Sequence, residues 1–249
     1  MKIALVPSNQ HQNTYTGLPS VTEERWAVAV CSAIEKRLLT LGADDVRTFH
    51  TPGTGASSTD ELSHMVDRAI SWRPDYMLSV HSDAVGDKHQ TGILMLMARL
   101  EDALEGQRLG LLIAKHVGLP YKATWVYGLE ARKILYLRRL RETGIKGSLV
   151  EVGEHATTAE ARWNWEHIGQ IGVGIADALA EYLGLRPVEV DDMTDEQFHL
   201  LKLARLSDVA RSYDVEIIKE MVAGNMAGAD ELEAVKVTAV QEEKNRLGL

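Results

Sequence analysis

Four short apolar runs, spaced along the chain and separated by stretches with helical periodicity, constrain this sequence more than any other feature. They are Lys2 to Val6, Tyr76 to Val80 after Pro74, Gly92 to Met97 and Ser148 to Val152. Each is bounded by Pro, Gly or polar residues and lacks polar alternation, the pattern of strands covered on both faces. A further short strand is expected from Asp45 to Phe49. Between the runs lie amphipathic segments. One is capped by Thr22 and stopped by Gly42; others run from Thr59 or Asp60 to Trp72, from Leu100 to Val117 and from Thr158 to Tyr182. Strands alternating with helices of this length predict an α/β fold, a single mixed, mostly parallel twisted sheet flanked by helices.

The pattern changes after Leu185. Residues 1–185 are expected to form the main domain, and 186–193 (RPVEVDDM) a linker. Residues 194–249 are expected to form a small C-terminal all-helical module, opened by a capping box from Thr194 to Gln197. With little apolar content of its own, that module is expected to dock, bind another surface or self-associate.

Composition narrows the chemistry. A formal net charge of -9 argues against nucleic acid as the partner. Cys31 is the only cysteine, so a metal must be held by His, Asp or Glu. The apolar start, Met1 to Pro7, is too short for a signal peptide, and no stretch approaches the roughly 20 apolar residues of a membrane span. Synthesis in the cytoplasm without membrane insertion is the expectation.

Chemistry-bearing residues fall at the strand ends. His81 closes the Tyr76 run, where open α/β sheets place their ligands; it is either a satisfied polar residue or a working one. At about 100° per residue, Glu23 lies at the centre of the apolar stripe formed by Trp26, Ala27, Val30, Ile34 and Leu41. Glu24 lies toward the edge of that stripe. A carboxylate on a buried stripe needs a cation or a metal, unless Glu23 only caps the exposed first turn. Glu151 interrupts Leu149-Val150-Glu151-Val152, where an unpaired charge is not tolerated. His11 lies in the polar loop from Ser8 to Pro19. His64 reads as surface and His167 as structural. Arg132, Lys133, Arg138, Arg139 and Arg141 form either a solvated face or a cationic rim for an anionic substrate. Two histidines and a carboxylate suit a catalytic zinc ion, with a further glutamate as general base. Composition alone does not select these four.

The motifs do. Asp75-Tyr76-Met77-Leu78-Ser79-Val80-His81-Ser82-Asp83-Ala84 resembles a pattern in the zinc-dependent N-acetylmuramoyl-L-alanine amidases: an aspartate, an apolar run, Ser-Ile-His, a small residue, then Asn-Ala. Leu149-Val150-Glu151-Val152-Gly153 is similar to the family's Leu-Val-Glu-Val/Thr-Gly. Glu23 through Gly42 resembles its glutamate-led helix, and Gly92 its strand-opening glycine. The resemblance runs from Lys2 to about Gly184. It departs from the family in three places. Asn9-Gln10-His11-Gln12 stands where the family has Gly-His-Gly-Gly, Asp83 replaces an asparagine, and Glu154-His155 replaces a phenylalanine and its successor. His155 reads as a hydrogen-bonded turn histidine or as an assistant to catalysis.

The resemblance implies Zn2+ held by His11, Glu23 and His81, with Glu151 as the catalytic base. It implies a hydrolase acting on bacterial peptidoglycan at the amide between N-acetylmuramic acid and L-alanine. Without a signal peptide, a phage endolysin released through a membrane pore is the expected setting. The C-terminal helices would then bind the wall or form a homo-oligomer. Two rivals stand beside this reading: a zinc amidohydrolase or carboxypeptidase that uses the same four residues on small acyl-amino acids, and a wall-binding module without catalysis that has lost zinc through its altered first-ligand loop.

Overall fold

The protein is described here by a computed structural model covering residues 1–50, 59–84, 91–126 and 134–186, together with Gln241 and Lys244. The chain divides into two units, Met1–Pro187 and Val188–Leu249. The expected linker beyond Arg186 and the C-terminal helices, apart from Gln241 and Lys244, lie outside the described residues, as do Arg132 and Lys133.

Strands β1 (Lys2–Pro7), β4 (Asp45–Thr48), β5 (Tyr76–Asp83), β6 (Ile93–Met97), β7 (Tyr121–Val126) and β8 (Gly147–Glu154) form one sheet in the order β4-β1-β5-β8-β6-β7. The first four positions of that order are mutually parallel; β6 and β7 are parallel to each other, and β6 meets β8 antiparallel. The continuous apolar runs follow from burial on both faces. In β1, Ile3 and Leu5 join one core cluster while Ala4 and Val6 join the other. The first cluster contains residues of helices α1 (Glu23–Thr40), α3 (Ala103–Val117) and α6 (Ile168–Leu183). The second contains residues of α2 (Thr59–Ser71) and α4 (Leu135–Thr143). The expected mixed, mostly parallel α/β sheet is the fold observed.

Helix α1 begins as its sequence dictates: Thr22 accepts a hydrogen bond from the Arg25 amide at 3.2 Å. The helix expected from Thr158 to Tyr182 is two, α5 (Thr158–Glu166) and α6, parted at His167. His167 leaves helical geometry (φ -110, ψ 19). Its ring stacks on Trp163, with Nδ1 2.8 Å from the Trp163 carbonyl oxygen. Glycines let α6 close on its neighbours: a Cβ at Gly172 would lie 2.4 Å from Ala33 Cβ, and one at Gly174 2.8 Å from Val117 Cγ2.

Elements absent from the sequence reading are β2 (Thr14–Tyr15), β3 (Leu18–Thr22), β7 and α4. The first two form a small antiparallel hairpin inside the segment read as a loop. In α4, Arg139 pairs with Asp67 of α2 at 3.0 Å, and Arg138 lies 3.9 Å from Glu142. Arg139 thereby ties α4 to α2, whereas the Arg138 contact lies within α4.

Pairing irregularities sit at one edge of the sheet. Between β5 and β8 the register passes from His81↔Glu151 to Asp83↔Glu154, and the bulge is completed by Gly153 at φ +67. A Cβ at Gly153 would fall 2.2 Å from the Asn164 side-chain oxygen. Asn164 is itself buried, donating to Ser82 Oγ at 3.1 Å and to the carbonyls of Val152 and Glu154. Gly153→Ala is therefore expected to cost about 1–3 kcal/mol of stability, through backbone strain and displacement of Asn164. An unchanged urea midpoint with an unchanged m-value would refute this.

Candidate metal centre

Parallel β1, β4, β5 and β8 bring their carboxyl ends to the same edge, and β6 and β7 start there because they run the opposite way. The amino terminus of α1 follows the β2–β3 hairpin and is fixed beside the same edge, its Glu23 amide donating to the Asn13 carbonyl at 2.8 Å. The structure brings Glu23, His81 and Glu151 together: one ligand atom from each lies within 4.8 Å of the other two. The helical-face reading of Glu23 holds, for the residue is 1% exposed. His81 and Glu151 face each other across neighbouring strands, because the β5–β8 register aligns them.

His81 Nδ1 lies 2.9 Å from Glu23 Oε1. That oxygen is buried, and among the described residues it has no hydrogen-bond partner of acceptable geometry. Two donor atoms in close approach but out of hydrogen-bond alignment suit a shared cation better than a direct bond. The other Glu23 oxygen accepts from Asn13 Nδ2 at 2.7 Å. A nitrogen and two carboxylates are donors that zinc accepts, so the residues fit the metal that the sequence motifs imply.

Electrostatics agree. Burial disfavours the ionised form of Glu23, but contact with His81, a hydrogen bond from Ser8 and the nearby His155 hold its carboxyl below the ordinary range. Burial works against charge on His81 as well, yet Glu23 and Glu151 raise its imidazole above the ordinary value. Glu151 is pushed up to about 8, by burial first and then by repulsion from Glu23 and Asp83 against the attraction of His81. A carboxyl poised near neutrality at a strand end is suited to proton transfer.

His11 is not part of this group. Its Nε2 lies 3.1 Å from Glu61 Oε2 and its Nδ1 3.4 Å from Glu24 Oε2. Glu24 also meets His50 Nε2 at 2.5 Å. The loop histidine thus joins an adjoining His/Glu group between β4, α1 and α2. His155 is a buried, hydrogen-bonded turn residue, with its ring stacked on Tyr15 (centroids 4.6 Å, 3° between planes) and Nδ1 3.0 Å from Ser82 Oγ. Burial pushes its imidazole below the ordinary value.

Asn13 was missed by sequence reasoning. It holds Glu23 twice, through its carbonyl and its side-chain amide. A polar residue in a loop carries no periodic signal, so only the hairpin's geometry exposes it. Asn13→Ala is expected to weaken zinc binding roughly 10- to 100-fold, the usual cost of losing a hydrogen bond behind a metal ligand. Competition with a chromophoric chelator measures it, and affinity equal to that of the wild type would remove Asn13 from the site.

A model of the N-acetylmuramoyl-L-alanine amidase family matches residues 9–181. Solved structures agree in fold. The catalytic domain of CwlV, an N-acetylmuramoyl-L-alanine amidase from Bacillus (Paenibacillus) polymyxa, is 18% identical over 75% of this chain and 100% of that one, with a TM-score of 0.59. AmiC2 of Nostoc punctiforme is 18% identical over 74% of this chain and 97% of its own, at TM-score 0.57. The amidase from Clostridium difficile 630 is 17% identical over 74% and 96% of the two chains, at 0.56. None of the curated proteins matches this chain.

Proposed function

Because the chain belongs to the N-acetylmuramoyl-L-alanine amidase family, we propose that it hydrolyses the amide joining the lactyl group of N-acetylmuramic acid to L-alanine in bacterial peptidoglycan. The observation that carries this is the convergence of Glu23, His81 and Glu151 at the carboxyl edge of the sheet. In the proposal Glu23 and His81 hold Zn2+ and Glu151 is the general base. His11 would complete the usual set of three protein ligands only by giving up its contacts with Glu24 and Glu61.

Zinc bound there supplies a Lewis acid that polarises the scissile carbonyl and makes water acidic. The rest falls to the chain. Glu151 takes one proton from the attacking water as the carbon–oxygen bond forms. It then delivers that proton to the alanine nitrogen as the carbon–nitrogen bond breaks, leaving a lactyl carboxyl and a free amino terminus. Asn13 keeps the Glu23 carboxylate in place, and the β5–β8 register keeps Glu151 opposite His81. The bacterial relatives named above say nothing of phage lysis, so the proposal is confined to the amide bond.

The test is to incubate the zinc-loaded protein with purified peptidoglycan and label newly exposed amino groups. Release of alanine amino termini without new reducing sugar ends is expected. Turnover of small acyl-amino acids with no action on peptidoglycan would overturn the reading.

A further inference from the structure

Asp83 stands two residues beyond His81, and its carboxylate adds a third acidic group beside Glu23 and Glu151. The structure commits both of its oxygens elsewhere. Oδ1 accepts from the Ala84 amide at 2.9 Å, and Oδ2 accepts from Lys122 Nζ at 2.9 Å. Side chains of the pair are 9% and 16% exposed.

Lys122 reaches Asp83 from β7, at the far edge of the sheet, with β6 and β8 between the two strands. Two features of the fold make that reach. The β6–β7 register steps from Ile93↔Tyr121 to Leu94↔Ala123, which leaves Lys122 as the extra residue of a bulge. Bulges re-aim a side chain that the regular pleat would send elsewhere. Beneath the lysine stem lies Gly92, where a Cβ would fall 2.7 Å from Lys122 Cγ and 3.1 Å from Cδ. Gly92 in turn accepts the Gly153 amide at 2.9 Å, directly after the Glu151 segment of β8. The stem therefore crosses beside Glu151, on which Asp83 and Lys122 act with opposite sign.

We propose that Lys122 is a positioning residue of the metal centre, whose ammonium draws Asp83 away from the ion and cancels its charge. The proposal rests on the reading of Glu23 and His81 as zinc ligands. A site with Asp83 unpaired would hold an additional carboxylate able to turn toward the ion and occupy the position that water and substrate require.

The experiment is a zinc competition titration of the full chain against a chromophoric chelator, with Lys122→Met, Asp83→Asn, the double variant and Lys122→Arg. Lys122→Met is expected to bind zinc roughly tenfold more tightly and Asp83→Asn roughly tenfold more weakly, as Coulomb interactions with a divalent ion require. The double variant and Lys122→Arg are expected within about threefold of the wild type, since both keep the net charge of the pair. Unchanged or weaker binding by Lys122→Met, or a double variant that fails to return, overturns the proposal. If Lys122→Met does not fold, Asp83→Asn and Lys122→Arg decide it by the same criteria. A wild type that binds no zinc overturns the ligand reading itself, and this proposal with it.

Discussion

Replacement of Glu151 by glutamine is expected to lower kcat on peptidoglycan by about 10²- to 10⁴-fold while zinc remains bound, the range over which a positioned general base contributes. The substitution keeps the shape of the side chain and its seat on β8 opposite His81. What it removes is the group that accepts a proton. Glutamine at this position also relieves the repulsion that Glu23 and Asp83 exert on the carboxyl. The folded protein should then be at least as stable as the wild type, so lost activity cannot be attributed to lost structure. Turnover measured with zinc content by atomic absorption and unfolding by urea separates the cases. Activity within threefold of the wild type would remove Glu151 as the base. Simultaneous loss of zinc would make it a ligand instead.

Removal of His81 is expected to abolish stoichiometric zinc binding, because His81→Ala takes away the nitrogen donor of the group. His11→Ala in the same titration is expected to cause a smaller loss, since the His11 ring nitrogens face Glu61 and Glu24. Equal losses would place His11 in the coordination sphere. Wild-type binding carries a pH signature with a definite sign. In the metal-free protein Glu151 is raised to about 8 and is largely protonated at pH 7, while contact with Glu23 and the charge of Glu151 hold the His81 imidazole above its ordinary value. Zinc competes with a proton for its ligand His81, and its charge favours loss of the Glu151 proton nearby. Apparent affinity should therefore rise as pH increases from about 6 to 8, with proton release seen by calorimetry in buffers of different ionisation enthalpy. Affinity independent of pH across that window would contradict the arrangement.

The sheet was legible because its strands are covered on both faces, so each reads as an unbroken apolar run. β7 was not legible: Tyr121 to Val126 is an edge strand, only partly covered, with Lys122 and Thr124 breaking its apolar character. The β2–β3 hairpin escaped for a related reason. Its residues are mostly exposed and rich in Thr, Pro and Ser, as a loop would be. The break at His167 escaped because the apolar stripe continues across it, while the backbone is turned by a contact between His167 and Trp163.

Within the site, the chain's own order marked which carboxylates need a cation, a metal or a proton. Glu23 on a buried helical stripe and Glu151 within a buried strand are costly unless they work, and burial is written in local periodicity. Which of these residues meet is a matter of register and bulges, set by pairing between strands far apart in sequence. That is why His81 faces Glu151, why His11 turns to Glu24 and Glu61, and why Lys122 crosses Gly92 to reach Asp83. Periodicity reports one element at a time; distances between elements arise only when the sheet closes.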